Sequence, residues 1–307
     1  MTVLHTPVLL EEVLDWLRIR PEGTYADVTT GTAGHIAEIA KRLTTGRVLG
    51  LDRDPQALAI ARDRLEPYKQ RVILVHREFS QLGEVAKEQN LPPFDGVLAD
   101  LGISTLELDS PERGFSFRWA AGLDMRMNPD NPLTADEIVN QWSEKELANL
   151  LYNNAEETDS YRIAKAIVRA RPIRDTEHLA SVVAGGRTAR GRQRLHPATK
   201  TFLALRTAVN REEEELGQFL SRTPTTLNSG GRMIVLSYHS LEDRAVKHSF
   251  QELARTGEYK ILTKKVIVPS DAETNSNPRA RSAKMRVIEK LDLDLATAES
   301  QAPGVRG

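Results

Sequence analysis

The stretch TYADVTTGTAGH, residues 24–35, predicts a short strand that ends near Asp27 and passes through a glycine-containing turn into a helix. Three more apolar runs follow it, with predicted ends at Asp52, near Phe79 and at Asp100. Helix-like segments separate these runs, and strands that alternate with helices are typical of parallel α/β units. The sequence therefore predicts a doubly wound, Rossmann-like sheet.

After Gly102 the strand pattern stops and the segments become helical, beginning with TADEIVNQWSEKELANLLYN and its Thr-x-x-Glu capping pattern. The segment TFLALRTAVNREEEELGQFL predicts one long helix, and GGRMIVLSYH predicts a fifth strand after a glycine turn. Weaker strand signals follow at KILTKKVIVP and AKMRVIEK. We therefore predict a sheet domain over residues 1–105 and 199–290, an inserted all-helical domain over 106–198 and a disordered tail over 291–307.

The composition restricts the class of protein. The chain has 307 residues and no cysteine, which excludes disulfides, thiolate zinc sites and iron–sulfur clusters. Its start, MTVLHTPVLLEEVLDWL, is too short and too acidic for a signal or membrane helix, so we expect a cytoplasmic protein without a membrane partner. The formal net charge is −1, yet residues 178–211 contain seven Lys or Arg and no Asp or Glu. This segregation favours a polyanionic partner.

Three acidic residues fall at the predicted ligand edge of the sheet. In an open α/β sheet the ligand lies beyond the carboxyl ends of the strands, where Asp27, Asp52 and Asp100 are expected. Gly31 and Gly34 follow the first strand and leave room for a ligand to approach the backbone. A carboxylate at the end of the second strand can accept hydrogen bonds from both ribose hydroxyls of a nucleoside. The edge therefore predicts a nucleoside ligand.

The turn after the first strand lacks the G-x-G-x-x-G pattern that binds a pyrophosphate, which makes a dehydrogenase a distant alternative. S-adenosylmethionine carries no phosphate and suits this turn better. Asp52-Arg53-Asp54 also matches the D-x-D metal site of sugar transferases, but Asp54 precedes Pro55 and a helical run. We therefore interpret Asp54 as a helix N-cap, and the sequence predicts no metal site.

The stretch VLSYHSLEDR, residues 235–244, places Ser237, His239, Ser240 and Asp243 close together along the chain. A hydrolytic triad needs its groups to meet in space on a strained turn, and the G-x-S-x-G pattern is absent. We expect Ser240 to be the N-cap of the next helix, with Asp243 in the capping-box position.

Four blocks carry a resemblance to a known family: DLGISTLELDSPERGFSFRWAAGLDMRMNP, HPATKTFLALRTAVNREEEEL, SYHSLEDRAVK and NPRARSAKMRV. Together with HTPVLLEEVLDWL and LDRDPQAL, they closely resemble the bacterial ribosomal RNA small-subunit cytosine N4-methyltransferases, the MraW or RsmH family. The resemblance implies a class I S-adenosylmethionine-dependent methyltransferase with an inserted helical domain for RNA recognition. It also implies methylation of the exocyclic N4 of a decoding-centre (P-site) cytidine in 16S rRNA, within the 30S subunit.

The resemblance further implies the cofactor contacts, which are Ala33, Gly34, His35, Asp52, Phe79, Asp100 and Glu107. Ala33 replaces a glycine of the family, and we expect it to offer its N–H if its φ is negative. Glu107 replaces a glutamine and either brings an anion near the sulfonium or faces water.

Three residues are candidates for the chemistry. The N4 lone pair of cytosine is delocalised into the ring, so a hydrogen-bond acceptor for the amine helps to localise it. We expect Asp100 to act there, by its carboxylate or its backbone carbonyl. Tyr238 is a candidate for stacking on an extruded base. His239 can accept a proton or hold a phosphate, and a purely structural hydrogen bond stays open as the alternative.

The RNA-binding candidates come from acid-poor clusters, one of them on a loop predicted to be flexible that also contains Arg187, Arg190 and Arg192. The candidates are Arg113, Arg118, Arg126, Arg194, Lys200, Arg244, Arg279, Arg281 and Lys284. Phe115 and Phe117 lie beside two of them and suit either base stacking or the core of the inserted domain. A solvated face is the alternative for any one charge run.

Rival functions remain at this point. A class I methyltransferase acting on DNA or protein is one, and a non-enzymatic ribosome assembly factor that keeps the fold is another. Whether the protein forms a homodimer also stays open.

Overall fold

A computed structural model of the protein describes residues 7–188 and 196–292. The chain divides into two compact units. The first takes the chain up to Gly102 and again from Glu215, and the second is Ile103–Glu214. Each unit has its own hydrophobic core.

A seven-stranded sheet forms the first unit, in the order β3-β2-β1-β4-β5-β7-β6. Its strands are β1 Thr24–Asp27, β2 Arg47–Asp52, β3 Val72–His76, β4 Phe94–Asp100, β5 Leu227–Ser237, β6 Tyr259–Ile261 and β7 Lys284–Lys290. The first five strands run parallel, and β7 lies antiparallel between β5 and β6. The order reverses between β1 and β4, which confirms the doubly wound fold and its switch point.

In the described residues, most helices of the first unit lie between its strands, and the helices between Ile103 and Glu214 form the second unit. In chain order, the helices of both units are α1 Leu10–Leu17, α2 Gly34–Arg42, α3 Pro55–Leu65, α4 Leu82–Glu88, α5 Thr105–Leu108, α6 Ala135–Gln141, α7 Glu144–Ala155, α8 Ser160–Ala170, α9 Thr176–Gly186, α10 Thr199–Val209, α11 Glu212–Arg222, α12 Ser240–Arg255 and α13 Asp271–Ser276. None of them is long and apolar enough to cross a membrane.

The central strands β1 and β4 are largely buried on both faces, as is typical of a parallel sheet. Successive residues of β4 point to opposite sides, so Leu98 joins one core and Val97 and Ala99 join the other. The first core includes Ile36 of α2, and the second includes Phe219 of α11. This packing fixes the carboxyl ends of the strands as a rigid edge.

The second unit is helical, with a core that contains Ile138, Leu147 and Ile163. Phe202 and Leu205 of α10 belong to this core. The predicted boundary between residues 198 and 199 is therefore wrong, because α10 packs with the helical unit. The boundary falls near Glu215 instead.

The predicted single helix after Ala198 is also wrong, because the chain forms α10 and α11 with a break between them. Asn210 causes the break. Its buried amide donates to the Met125 and Arg206 carbonyls at 2.8 and 2.9 Å and accepts the Met127 N–H at 2.8 Å. Arg211 follows with a φ of 48°, outside the helical range.

Two further predictions need correction. The third strand ends at His76, and Phe79 begins a 3₁₀ turn rather than closing the strand. The predicted tail begins at residue 291, but the Leu291 N–H donates to the Glu258 carbonyl at 2.8 Å, so the ordered chain extends past residue 290. The rest of the predicted tail, residues 293–307, lies outside the described residues.

Candidate active site

The carboxyl ends of β1, β2 and β4 bring three carboxylates to one edge of the sheet. Asp27 is the most buried, with 1% of its surface exposed. Burial raises the pKa of Asp27 to about 7, and the negative charges of Asp100 and Asp52 add to the effect. Asp27 is therefore close enough to both other acids for their charges to raise its pKa.

Asp52 is held by two backbone groups. Its carboxylate oxygens accept the N–H of Gly31 at 2.6 Å and of Asp54 at 2.9 Å. Burial raises the pKa of Asp52, and these two hydrogen bonds oppose the rise. Because each carboxylate oxygen can accept two hydrogen bonds, each keeps acceptor capacity for a ligand hydroxyl. The residue thus fits the expected ribose clamp.

Asp54 caps α3, since its carboxylate accepts the N–H of Gln56 at 2.9 Å. This agrees with the N-cap interpretation of the D-x-D sequence. Among the residues that the structure describes, no group of three or more His, Cys, Asp or Glu is arranged to hold a metal ion.

The turn after β1 uses Ala33 differently from the expectation. Its φ is +68°, so the condition of a negative φ is not met. Its N–H donates to the Thr30 carbonyl at 2.8 Å and closes the turn, which removes that donor from the predicted cofactor contacts. Gly34 follows, and a Cβ there would lie 2.8 Å from Cγ of Pro7, so only glycine fits without a shift.

His35 links the N-terminal segment to the edge of the sheet. Its Nε2 lies 3.0 Å from the Val8 carbonyl, and its Nδ1 lies 3.8 Å from a carboxylate oxygen of Asp100. Only 6% of the side chain is exposed. The ring is therefore held at the Val8 carbonyl and lies near the Asp100 carboxylate, beyond hydrogen-bonding distance from it.

Asp100 is held by two hydrogen bonds but stays accessible. Its N–H donates to the Thr29 hydroxyl at 2.6 Å, and one carboxylate oxygen accepts the Tyr238 hydroxyl at 2.7 Å. The side chain is 24% exposed. Burial raises the pKa of Asp100, opposed by His35 and by the Tyr238 hydrogen bond. A carboxylate of this kind is an oriented acceptor with raised basicity.

The β5–α12 turn places Tyr238 and His239 beside this acid. His239, and not Ser240, is the N-cap of α12, so the predicted cap is wrong. Glu242 takes the capping-box position: its carboxylate accepts the Tyr238 N–H at 2.8 Å and the His239 N–H at 3.3 Å. His239 Nε2 lies 3.0 Å from the other Glu242 oxygen. Glu242 therefore holds the imidazole within the turn.

Glu242 is absent from the residues predicted above, although its spacing of three from His239 is the capping-box spacing. Asp243, predicted for that position, faces β7 instead. It accepts hydrogen bonds from Arg286 Nε at 2.7 Å and Lys284 Nζ at 3.1 Å. Burial opposes these contacts, yet they lower the pKa of Asp243 below its usual value.

Phe79 packs inside the unit. Its ring meets Phe219 edge to face at 5.3 Å, and the Arg53 guanidinium lies 5.3 Å from its centroid. The side chain is buried. Its predicted cofactor contact would therefore have to use the backbone or a ring edge.

Glu107, in the second unit, is buried rather than facing water. Its carboxylate accepts the Ser104 N–H at 2.7 Å, and its N–H donates to the Ser104 hydroxyl at 3.2 Å. The side chain caps α5, which gives it a structural role.

Several predicted RNA contacts are engaged inside the protein. Arg113 donates to the Arg126 and Met127 carbonyls at 3.0 and 2.9 Å. Arg126 pairs with both oxygens of Asp124, at 2.8 and 2.9 Å. Lys200 donates to a backbone carbonyl. These three side chains stabilise the helical unit, as does Lys284 for the sheet unit.

The remaining predicted RNA contacts are more accessible. Arg118, Arg244 and Arg281 are exposed, and Arg279 is half-buried. Arg190, Arg192 and Arg194 lie outside the described residues, whereas Arg187 is paired with buried Glu157 at 3.3 Å. The glycines before Arg187 belong to α9 rather than to a loop.

The two phenylalanines belong to the helical unit. Phe115 is buried in its core, and Phe117 stacks on His196 with ring centroids 4.5 Å apart. The observed contacts therefore favour the packing interpretation of both rings.

The strand order, the reversal between β1 and β4 and the carboxylate edge define a class I methyltransferase that uses S-adenosylmethionine. When bound, this cofactor supplies an electrophilic methyl group on a sulfonium. The chain belongs to the MraW methylase family, whose sequence profile matches residues 2–291.

Two relatives support this assignment. The chain is 47% identical to the Ribosomal RNA small subunit methyltransferase H of Acidobacterium capsulatum, covering 93% of this chain and 98% of that protein. It is 48% identical to the protein of the same name from Cyanothece sp., covering 94% and 95%. Among solved structures, an rRNA methylase from Streptococcus thermophilus aligns over 95% of this chain and 100% of that chain, with a TM-score of 0.43 and 11% identity.

Proposed function

We propose that the protein methylates the exocyclic N4 of a decoding-centre (P-site) cytidine in 16S rRNA, with the 30S subunit as substrate. Relatives that share 47–48% of their residues with this chain are named for ribosomal RNA of the small subunit. A substrate of this kind places the reaction in the cytoplasm. The observation that carries the choice of an amine is the oriented, accessible carboxylate of Asp100.

The chemistry assigned to Asp100 follows from its surroundings. A carboxylate that accepts a hydrogen bond from N4–H counteracts the delocalisation of the lone pair into the ring. The raised pKa of Asp100 makes it a better proton acceptor than a free aspartate. Tyr238 holds the carboxylate in place through its hydroxyl, and its ring remains the candidate for base stacking.

We assign His239 to the turn rather than to proton transfer, because Glu242 binds its ring and its N–H. We assign rRNA recognition to the helical unit, where Arg118 is exposed next to Trp119, itself 44% exposed. An exposed aromatic ring beside a cation suits unpaired nucleotides.

The test combines methyl transfer with identification of the product. Purified protein is incubated with methyl-labelled S-adenosylmethionine and 30S subunits, and the rRNA is digested and analysed by mass spectrometry. We expect N4-methylcytidine at one position. The Asp100→Ala variant should lower the single-turnover rate at least about tenfold, equivalent to roughly 1.4 kcal/mol.

Asp63→Ala, an exposed change on α3, is the matched control and should leave the rate unchanged. Methyl transfer to another atom, or to protein, would overturn the proposed product. An unchanged rate in Asp100→Ala would remove Asp100 from the reaction.

A further inference from the structure

Helix α8 exposes one basic face in the helical unit. Tyr161, Arg162, Lys165 and Arg169 are all exposed, whereas Ile163 and Ile167 are buried in the core. At 3.6 residues per turn, the four exposed residues fall within an arc of about 100°. They therefore form a single surface, which we call the α8 face.

The basic side chains of the α8 face differ from most arginines of this unit. Arg171, one residue beyond the helix, donates its Nε to the Val139 carbonyl at 2.8 Å. Arg187 pairs with Glu157, and Arg206 pairs with Glu212. Within the described part of the chain, Arg162, Lys165 and Arg169 have no side-chain hydrogen bond or ion pair. Three cations are thus presented to solvent without internal neutralisation.

We propose that the α8 face binds the phosphate backbone of the rRNA substrate, with Tyr161 stacking on an unpaired base. This inference rests on the proposed function and adds a surface that the RNA-binding prediction does not contain. The segment from residue 160 to 174 has no Asp or Glu, so nothing on the helix repels a polyanion.

The spacing of the cations suits this partner. Along the helix axis, Arg162 and Lys165 are separated by about 4.5 Å, and Lys165 and Arg169 by about 6 Å. Long, flexible basic side chains at such intervals can reach successive phosphates of one strand. Tyr161 is 64% exposed at the start of the same face, which leaves its ring available to a base.

The test neutralises the three cations without breaking the helix. The triple variant Arg162→Gln, Lys165→Gln, Arg169→Gln keeps good helix formers at each position. Binding of the full-length protein to 30S subunits and to naked 16S rRNA is measured at several salt concentrations. Each lost phosphate contact should make the slope of log affinity against log salt shallower by a little under one. The slope of the triple variant should therefore be shallower than that of the wild type by about two to three.

A matched control removes the same charges elsewhere. Arg62, Lys87 and Arg255 are exposed on α3, α4 and α12, and their change to Gln should leave both the slope and the affinity unchanged. Far-UV circular dichroism and thermal unfolding show that each variant is folded, including the helical unit that contains α8. The Tyr161→Leu variant should weaken binding without changing the salt slope, and Tyr161→Phe should restore it.

The outcomes separate the two proposals. If the wild-type protein neither binds nor methylates rRNA, the proposed function fails. If the wild-type protein does both and the triple variant equals the control, the α8 face is not an RNA contact. A loss confined to 30S subunits, with naked rRNA bound normally, would assign the face to a ribosomal protein and overturn the phosphate contact.

Discussion

The Tyr238 hydroxyl donates a hydrogen bond of 2.7 Å to the Asp100 carboxylate and joins the ends of the parallel strands β5 and β4. Burial, with the adjacent charge of Asp100 as the next cause, raises the pKa of Tyr238 well above its usual value. The phenol therefore stays protonated and remains a donor over the physiological range. The pair fixes one oxygen of Asp100 and directs the carboxylate at the site.

Removal of the Tyr238 hydroxyl should impair catalysis. A hydrogen bond to a charged group contributes about 1.5–3 kcal/mol, so Tyr238→Phe should lower the single-turnover rate roughly tenfold or more. Affinity for S-adenosylmethionine should stay close to that of the wild type. Tyr259→Phe, on the edge strand β6, is the control and should retain full activity. A fully active Tyr238→Phe would show that the pair has no part in the reaction.

Glu242 should act as a positioning residue for the β5–α12 turn. Glu242→Ala leaves the Tyr238 and His239 N–H groups without their acceptor and should reduce the free energy of unfolding by about 1–3 kcal/mol. Glu242→Gln keeps an acceptor oxygen and should restore much of both stability and turnover. Thermal unfolding and the methyl-transfer rate measure the two effects. Equal loss in the Gln and Ala variants would contradict acceptance by the side-chain oxygen.

Asp27 should make stability depend on pH. Its pKa rises from 3.8 to about 7 on folding, so between these values the native state keeps a proton that the unfolded state releases. Asp27 therefore lowers stability as pH rises across this interval. Asp27→Asn has no such titrating group, so its free energy of unfolding should exceed that of the wild type by an amount that grows with pH, up to about 4 kcal/mol more at pH 7 than at pH 4.

The measurement is the free energy of unfolding of Asp27→Asn minus that of the wild type, from denaturant titrations between pH 4 and pH 8. This difference should increase up to about pH 7 and then stay constant. Asp63→Asn, at an exposed position, should show no such trend. A difference that falls with pH would contradict the raised pKa.

Asp52 should set the affinity for the cofactor. Asp52→Asn keeps one acceptor oxygen for a backbone N–H but loses the charge and the second oxygen. We expect the dissociation constant for S-adenosylmethionine to rise at least about tenfold, since a charge-assisted hydrogen bond contributes about 1.5–3 kcal/mol. Isothermal titration calorimetry gives the value. An unchanged constant would place the ribose elsewhere.

Arg126 should prove structural rather than RNA-binding. Its guanidinium binds Asp124 and the Pro129 and Asn131 carbonyls, so Arg126→Gln should lower the unfolding free energy by about 1–3 kcal/mol. The salt dependence of rRNA binding should not change. A shallower salt slope in a stably folded variant would restore Arg126 to the RNA contacts.

Local sequence patterns predicted the sheet well. Each parallel strand is an apolar run, and the ends of β1, β2 and β4 coincide with Asp27, Asp52 and Asp100. The same positions supplied the acids of the candidate site. This part of the fold can be predicted because both the burial of a strand and the position of its end depend on residues that are neighbours along the chain.

Other features depend on contacts between distant residues. The break after α10 requires Asn210 to bond Met125 and Met127, which local helix propensity does not contain. The positive φ of Ala33 arises from closure of a turn. The sequence also does not distinguish a paired cation such as Arg126 from an unpaired one such as Arg169, because the partners come from tertiary structure.

A crystal structure with S-adenosylhomocysteine and cytidine tests the central claim most directly. We expect the ribose of the cofactor product against Asp52 and the cytidine N4 within hydrogen-bonding distance of the Asp100 carboxylate. A nucleoside bound away from the β1–β4 edge, or a cytidine whose amine faces away from Asp100, would contradict the assignment of this edge to amine methylation.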